Sequence, residues 1–201
     1  MIRMVEKWDM CLIDSNVDLS SSLREEFSKL EEQILACGSC ELHETVTNKV
    51  IGKGSLSPKI IFIGEGPGKR EDETGVPFCG RAGKNLDVMI DYMDLCEEDW
   101  GVINTVKCRP PNNRAPKKVE INSCKPFLEK QIELLDPNVI ILLGNTAERA
   151  FCPDHKLEWG VPEEINGRII LKLYHPAALI YTRSRIETQN EYIDQNRHLF
   201  E

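Results

Sequence analysis

The sequence lacks long hydrophobic segments. Its 201 residues include apolar runs such as Val139-Ile-Ile-Leu-Leu143, which are far shorter than the roughly 20 residues of a membrane-spanning helix. The N-terminus also lacks the apolar stretch and small-residue cleavage site of a secretory signal peptide. We therefore expect an intracellular, cytoplasmic protein that does not enter a membrane.

The sequence also lacks an overall basic charge. Its net charge of -8 argues against a wholly basic nucleic-acid-binding surface, because duplex affinity comes largely from Lys and Arg. The acidic side chains are concentrated near the ends, however, with ten acids and four bases in residues 1–44. Residues 103–119 and 168–186 carry several bases and no acid. Two local basic patches are thus available for a polyanion, although many charge runs are only solvated surface.

A complete phosphate-binding motif is absent as well. Residues 64–84, GEGPGKREDETGVPFCGRAGK, follow an apolar run as a phosphate loop does. No G-x-x-x-x-G-K-S/T is present, and Gly64-Glu-Gly-Pro-Gly68 does not continue as G-x-G-x-x-G. The loop also carries four carboxylates that would repel a phosphate. An enzyme that binds nucleotide phosphates here is therefore a disfavoured alternative.

Short apolar segments alternate with helical patterns along the chain. Strands are predicted at 59–63, 101–106, 138–143 and 168–173, and helices at Ser20–Ala36, 81–95, 117–135, 145–152 and Ser184–Phe200. This alternation predicts a single α/β domain with a mainly parallel sheet. Ligands bind such sheets at the carboxyl ends of the strands. Gly64, Asn104 and Tyr174-His175-Pro176 fall at such ends.

Eight cysteines are many for an intracellular chain, in which disulfides are disfavoured. Cys37-Gly-Ser-Cys40 is a C-x-x-C pair, and Cys108 and Cys124 form a second pair in a basic, proline-rich region. Four thiolates suit structural zinc or an iron-sulfur cluster, and ligand type alone does not separate the two. The other cysteines, Cys11, Cys79, Cys96 and Cys152, are expected to be small buried apolar side chains.

Several motifs occur in an order and spacing that are specific as a set. They are Cys37-x-x-Cys40, Gly64-Glu-Gly-Pro-Gly68, Glu71-Asp72, Gly75-Val-Pro-Phe-Cys-Gly-Arg-Ala-Gly83, Asn104-Thr-Val-Lys-Cys-Arg-Pro-Pro-Asn-Asn-Arg114, Cys124–Ile132, Leu142-Leu-Gly144 and His175-Pro-Ala-Ala178. Together they resemble the family 4 uracil-DNA glycosylases, the iron-sulfur branch of the uracil-DNA glycosylase superfamily. The resemblance extends from about Leu35 to Tyr181.

This resemblance implies a three-layer α/β/α sandwich with a central four-stranded parallel sheet. It also implies a 4Fe-4S cluster, rather than zinc, held by Cys37, Cys40, Cys108 and Cys124. The implied activity is hydrolysis of the N-glycosidic bond of uracil in DNA, which leaves an abasic site for base excision repair. Residues 31–201 would form the glycosylase-like domain, and residues 1–30 an acidic N-terminal extension.

The resemblance assigns roles in a pocket for a flipped base. Phe78 is expected to stack on uracil, and the Asn104 amide to hydrogen bond to its O4 and N3. His175 is expected to donate to O2 of the leaving uracil, where negative charge develops. Gly64 and Gly66 would leave room for the nucleotide.

Carboxylates of the glycine-rich loop are expected to take part in catalysis. An anion opposite the sugar stabilises its developing positive charge, and a carboxylate can orient the attacking water. Glu71 is the first choice for this role, and Glu65 is the second.

Uracil-containing DNA is the expected partner. The candidates for phosphate contacts are Arg109, Arg114, Lys117 and Arg183. A sliding clamp or another repair protein is a further candidate partner for the acidic N-terminal segment, and a monomer is expected. The alternative function is that of a DNA-binding or redox iron-sulfur protein without catalytic activity, which leaves Phe78, Asn104 and His175 unexplained.

Overall fold

A six-stranded mixed sheet forms the centre of the protein. The computed structural model describes residues 17–180 and 182–201. The strands are β1 (Lys53–Gly54), β2 (Ile60–Gly64), β3 (Trp100–Asn104), β4 (Val139–Leu143), β5 (Glu163–Ile165) and β6 (Arg168–Leu173), in the order β1-β3-β2-β4-β6-β5. The helices are α1 (Val17–Ala36), α2 (Lys69–Thr74), α3 (Arg81–Tyr92), α4 (Lys118–Leu135), α5 (Asn145–Phe151) and α6 (Arg183–Gln195).

The four central strands are parallel and are covered on both faces. In β2, Ile61 and Ile63 belong to one core cluster, which includes side chains of α1, α4 and α5. Ile60 and Phe62 belong to a second core cluster, with side chains of α3 and α6. Strands buried on both faces have continuous apolar sequences rather than alternating ones. The predicted three-layer α/β/α sandwich with four parallel strands is confirmed.

The prediction of four strands was incomplete, because the sheet has two further edge strands. β1 pairs with β3, and β5 pairs with β6, both in antiparallel orientation. These edge strands are two and three residues long and contain only one large apolar side chain, Ile165. Such short polar segments have no hydrophobic period from which a strand can be predicted. The short helix α2 was also not predicted.

Helix α1 continues across the proposed domain boundary at residue 30. Its Phe27, Leu30 and Ile34 are buried in the core cluster that includes α4. Residues 1–16 of the acidic extension lie outside the described residues, so the domain division stays a prediction. Within residues 17–180 and 182–201, no helix is long and apolar enough to cross a membrane.

The parallel strands end at one edge of the sheet. Gly64, at the end of β2, pairs in register with Asn104, at the end of β3. The segment after β6 begins with Tyr174 and His175, and α5 begins beside it after β4. This edge therefore brings together the strand-end residues singled out in the sequence.

Candidate active site and cysteine pocket

A pocket of about 270 Å³ lies at the carboxyl edge of the sheet. It is lined by Glu65, Gly66, Pro67, Gly68, Glu71, Phe78, Ala82, Asn104, Pro110, Asn113, Arg114, His175 and Ala177. These residues come from the glycine-rich loop, the end of β3 with the segment after it, and the segment after β6. The fold thus gathers all the predicted base-binding and catalytic side chains into one pocket.

Asn104 is a buried polar side chain that lines this pocket. It is only 1% exposed, and among the described residues neither its Oδ1 nor its Nδ2 has a hydrogen-bond partner. Leaving a buried amide group unpaired costs about 1–3 kcal/mol. Buried polar groups are otherwise almost always paired. The unpaired amide therefore indicates a ligand with complementary polar groups.

Gly64 leaves room for the side chains of both Asn104 and Phe78. A Cβ added to Gly64 would lie 2.4 Å from Asn104 Oδ1 and 2.6 Å from Phe78 Cζ, both too close for real contacts. Gly66 has a related role, because its Cβ would lie 2.8 Å from Val106 Cγ2. Gly64 and Gly66 therefore allow the side chains of the pocket wall to pack closely.

Phe78 has an unusual backbone conformation. Its φ of 51° lies in the left-handed region, which bulky residues rarely adopt. A Cβ on Gly83 would lie 1.7 Å from Phe78 O, so the first turn of α3 packs directly against this backbone. The Phe78 ring centroid is 6.0 Å from that of His175, with 32° between the ring planes. Such strain is concentrated at functional sites.

His175 is held as a neutral hydrogen-bond donor. Its Nδ1 accepts a hydrogen bond from the backbone N–H of Ala177, at 3.2 Å. In the neutral ring the hydrogen must then be on Nε2. Burial lowers the pKa of His175 below its usual value of 6.5, and Glu65 nearby acts weakly in the opposite direction. The imidazole can therefore donate from Nε2 without carrying a positive charge.

Two further side chains fix the segment that carries His175. Gln189 Oε1 accepts from the backbone N–H of Tyr174 at 2.8 Å, and Asn85 Nδ2 donates to Pro176 O at 3.0 Å. Both reach the segment from helices, α6 and α3 respectively. Sequence reasoning missed them, since each lies in an ordinary helical pattern that carries no signal for a distant contact.

Glu65 and Glu71 make different contacts within the pocket. Glu71 accepts from the backbone N–H groups of Gly68 at 3.1 Å and Gly80 at 2.9 Å, so both of its oxygens stabilise the loop. Glu65 Oε2 accepts from Thr146 Oγ1 at 2.6 Å. Within the described part of the chain, no second hydrogen bond to the Glu65 carboxylate is found.

Arg114, one of the predicted phosphate ligands, already has an anionic partner. Its guanidinium donates two hydrogen bonds to the carboxylate of Glu120, at 2.8 and 2.6 Å. Glu120 is buried and also accepts from the backbone N–H of Lys117 at 2.6 Å. This pair holds the segment before α4 in place.

The remaining predicted phosphate ligands contact side chains that are neutral or exposed. Arg109 Nε donates to Asn113 Oδ1 at 2.6 Å, Lys117 Nζ lies 3.9 Å from a Glu41 oxygen, and Arg183 Nε lies 3.2 Å from a Glu187 oxygen. Exposed ion pairs contribute little free energy. Lys117 and Arg183 are exposed and can therefore exchange these partners for another anion.

The four cysteines that were predicted to hold a cluster line a second pocket. Cys37, Cys40, Cys108 and Cys124 come together there, although across residues 17–180 and 182–201 no three His, Cys, Asp or Glu side chains are arranged as a metal site. Burial raises the pKa of Cys108 to about 12. The residue before it, Lys107, was not among the site residues predicted from the sequence.

That lysine, Lys107, is fully buried at the cysteine pocket and donates from Nζ to Asn104 O at 2.6 Å. Lys49 also lines the pocket and donates to Leu35 O at 2.7 Å. Four thiolates are the usual ligands of an iron-sulfur cluster. The donor set and the two cations fit an anionic cluster.

The other described cysteines lie apart from this pocket. Cys152 is buried in the core as expected, whereas Cys96 is exposed and Cys79 is half-buried. The expectation of a buried side chain was therefore wrong for Cys96. Cys11 lies outside the described residues.

Comparison with known proteins identifies the family. The family model described as the uracil DNA glycosylase superfamily matches residues 51–199. A type-4 uracil-DNA glycosylase of Thermotoga maritima is 41% identical over 167 residues, which are 80% of this chain and 87% of the relative. A type-4 enzyme of Archaeoglobus fulgidus is 37% identical over 179 residues, 84% of this chain and 88% of the relative. The chain therefore belongs to the uracil DNA glycosylase superfamily, and within it to the type-4 uracil-DNA glycosylases.

Proposed function

We propose that this protein is a uracil-DNA glycosylase that acts in base excision repair. It would take a flipped uracil into the pocket and hydrolyse its N-glycosidic bond, leaving an abasic site. The unpaired, buried amide of Asn104 is the observation that carries this proposal. Membership of a family whose relatives are named for this activity supports it.

Asn104 explains how uracil would be recognised. Uracil presents an acceptor, O4, next to a donor, N3–H, and a side-chain amide offers the complementary donor and acceptor. Cytosine presents the reverse arrangement at these positions. A mismatch would leave buried polar groups of the site unpaired, which makes such discrimination large.

His175 would stabilise the leaving group. When the C1′–N1 bond breaks, its electron pair moves to the uracil ring, and much of the charge develops on O2. A neutral Nε2–H aimed at O2 stabilises that charge. Water then supplies the hydroxyl that joins C1′, and its proton neutralises the uracil anion. Phe78 would stack on the base throughout.

Glu65 is the carboxylate that we propose to face the sugar. The sequence favoured Glu71, but both of its oxygens accept hydrogen bonds from loop amides. Glu65 uses only Oε2 in its bond to Thr146. Its other oxygen would then stabilise the cationic sugar and orient water, while Glu71 maintains the shape of the loop.

The four cysteines would hold a 4Fe-4S cluster. Such a cluster supplies four thiolate bonds that fasten the segment containing Cys108 to Cys37, Cys40 and Cys124. That segment also contains Arg114, which lines the active-site pocket. We therefore propose that the cluster has a structural role.

DNA is the partner that this activity requires. Arg109, Lys117 and Arg183 are proposed to contact phosphates on either side of the flipped nucleotide, and Arg114 to shape the pocket from its pair with Glu120. A monomer would suffice for the reaction. Docking of a sliding clamp or another repair protein on the acidic N-terminal segment is retained as a separate proposal.

An excision assay on defined oligonucleotides tests the function. Single- and double-stranded DNA containing uracil, hypoxanthine or thymine is incubated with purified protein, and abasic sites are cleaved by alkali and counted. We expect cleavage at uracil and none at thymine, and we expect His175→Ala to be much slower. A wild-type protein that is inactive on all three bases but binds DNA would instead favour the non-catalytic alternative.

A further inference from the structure

Thr146 lies behind the carboxylate that the proposed reaction uses. It is the second residue of α5, directly after Gly144 and Asn145, and it is buried. β2 and β4 are parallel neighbours, so the residues that follow them lie side by side at the sheet edge. Glu65 follows β2, and this arrangement brings its carboxylate to the Thr146 hydroxyl at 2.6 Å.

Thr146 donates this hydrogen bond, because an ionised carboxylate can only accept, and a third residue is compatible with that direction. Arg149, one turn further along α5, donates from Nη2 to Thr146 Oγ1 at 3.2 Å. A guanidinium can only donate, so it occupies an acceptor site of the hydroxyl. The single hydroxyl hydrogen is then left for Glu65 Oε2. Arg149 and Thr146 therefore form a short donor chain that ends on the carboxylate.

We propose that Thr146 is a positioning residue for uracil excision, which holds Glu65 so that its free oxygen faces the sugar and the attacking water. The inference depends on the proposed function and deepens it. A hydrogen bond to an ionised carboxylate is short and directional, and it limits the side chain to one rotamer. Supporting side chains of this kind set the geometry of catalytic groups.

The contact would act on the chemical step rather than on binding. Uracil recognition is assigned to Asn104 and Phe78, neither of which has a hydrogen bond to Thr146 among the described contacts. Glu65 is proposed to act on positive charge that develops only in the transition state. Loss of its support should therefore lower kcat and leave KM nearly unchanged.

The test uses variants that change the hydroxyl with little change of shape. Thr146→Val removes the donor, Thr146→Ser retains it, and Thr188→Val removes a helical threonine hydroxyl that bonds only to Ser184 O at 3.0 Å in the described contacts. We expect Thr146→Val to lower kcat by about tenfold or more, as for other bonds to charged groups. Thr146→Ser should restore most of the rate, and Thr188→Val should match wild type.

A double-mutant cycle shows whether Thr146 acts through Glu65. If it does, Thr146→Val should cost much less in a Glu65→Ala background than in wild type. Arg149→Met should lower kcat by a smaller factor, because it frees the hydroxyl without removing it. Melting temperature and visible absorbance of every variant show whether the fold and cluster are retained.

The outcomes separate this inference from the function itself. An active wild type with a Thr146→Val variant of equal kcat would overturn the positioning role and leave the glycosylase proposal intact. Equal losses in the wild-type and Glu65→Ala backgrounds would also overturn it. If Thr146→Val does not fold, a Thr146→Ser variant with wild-type stability but a kcat as low as that of Glu65→Ala would overturn it.

Discussion

Gly64 and Asn104 are adjacent in the sheet, and a methyl group on Gly64 would lie 2.4 Å from Asn104 Oδ1. Because Gly64 has no side chain, the amide of Asn104, which we propose to recognise uracil, can occupy its position on the neighbouring strand. The same absent methyl group makes room for the ring of Phe78. One backbone position therefore controls both the polar and the stacking contacts of the pocket.

Gly64→Ala is expected to reduce uracil excision by about 100-fold, because displacing a binding group by about 1 Å has an effect of this size. Gly167→Ala is the matched control. Gly167 has a φ of 77° but no neighbour within 4 Å of its added Cβ. That variant should lose about 1–2 kcal/mol of stability through backbone strain and keep its activity. Equal activity of the two variants would contradict this account.

The pKa of His175 gives a pH dependence of stability. Burial lowers its pKa in the folded state below 6.5, so below that pH the unfolded chain binds a proton that the folded chain does not. The stability of wild type relative to His175→Gln should therefore be greatest above pH 6.5 and fall as the pH is lowered. Urea unfolding of both proteins between pH 5 and 8 measures this difference. A difference that grows at low pH would show that the folded imidazole is charged.

Cysteine variants test the cluster. Cys124→Ala is expected to lose bound iron and broad visible absorbance, whereas Cys152→Ala, in the core and away from the cysteine pocket, should keep both. Metal analysis should find about four iron atoms per wild-type chain. Zinc in place of iron would contradict the cluster assignment, and unchanged iron in Cys124→Ala would contradict the ligand assignment.

Arg114 and Arg183 should respond differently to the same substitution. Arg114→Met leaves the carboxylate of Glu120, which is only 2% exposed, without its bidentate partner, and we expect it to lower the melting temperature. Arg183→Met should leave stability unchanged and reduce the slope of log affinity against log salt by about 1. Melting curves and DNA titrations at several salt concentrations measure both effects. The reverse pattern would assign Arg114 to phosphate and Arg183 to the fold.

The sequence is informative where a local pattern determines the structure. β2 and β4 are predictable because strands buried on both faces are continuously apolar. Asn104 and His175 could be singled out because each falls at a strand end within a specific motif. The edge strand β5, Glu163–Ile165, has no such pattern and was missed.

The contacts that support the site could not be predicted in this way. Thr146 bonds to Glu65 across 81 positions, and Asn85 bonds to Pro176 across 91 positions. Neither residue breaks the helical pattern in which it occurs. Such pairs are determined by the packing of distant elements, for which a single sequence offers no periodic signal. The hydrogen bonds that Glu71 accepts from Gly68 and Gly80 are likewise not visible in the sequence.

The excision rate of wild type and Asn104→Ala on one uracil-containing oligonucleotide tests the central claim most directly. Asn190→Ala, on α6, is the matched control. We expect wild type and Asn190→Ala to convert the uracil to an abasic site at equal rates. Asn104→Ala should be slower by at least about 100-fold, with a melting temperature close to that of wild type or higher, since it no longer buries an unpaired amide. An Asn104→Ala variant as fast as wild type would contradict the claim that this amide reads uracil.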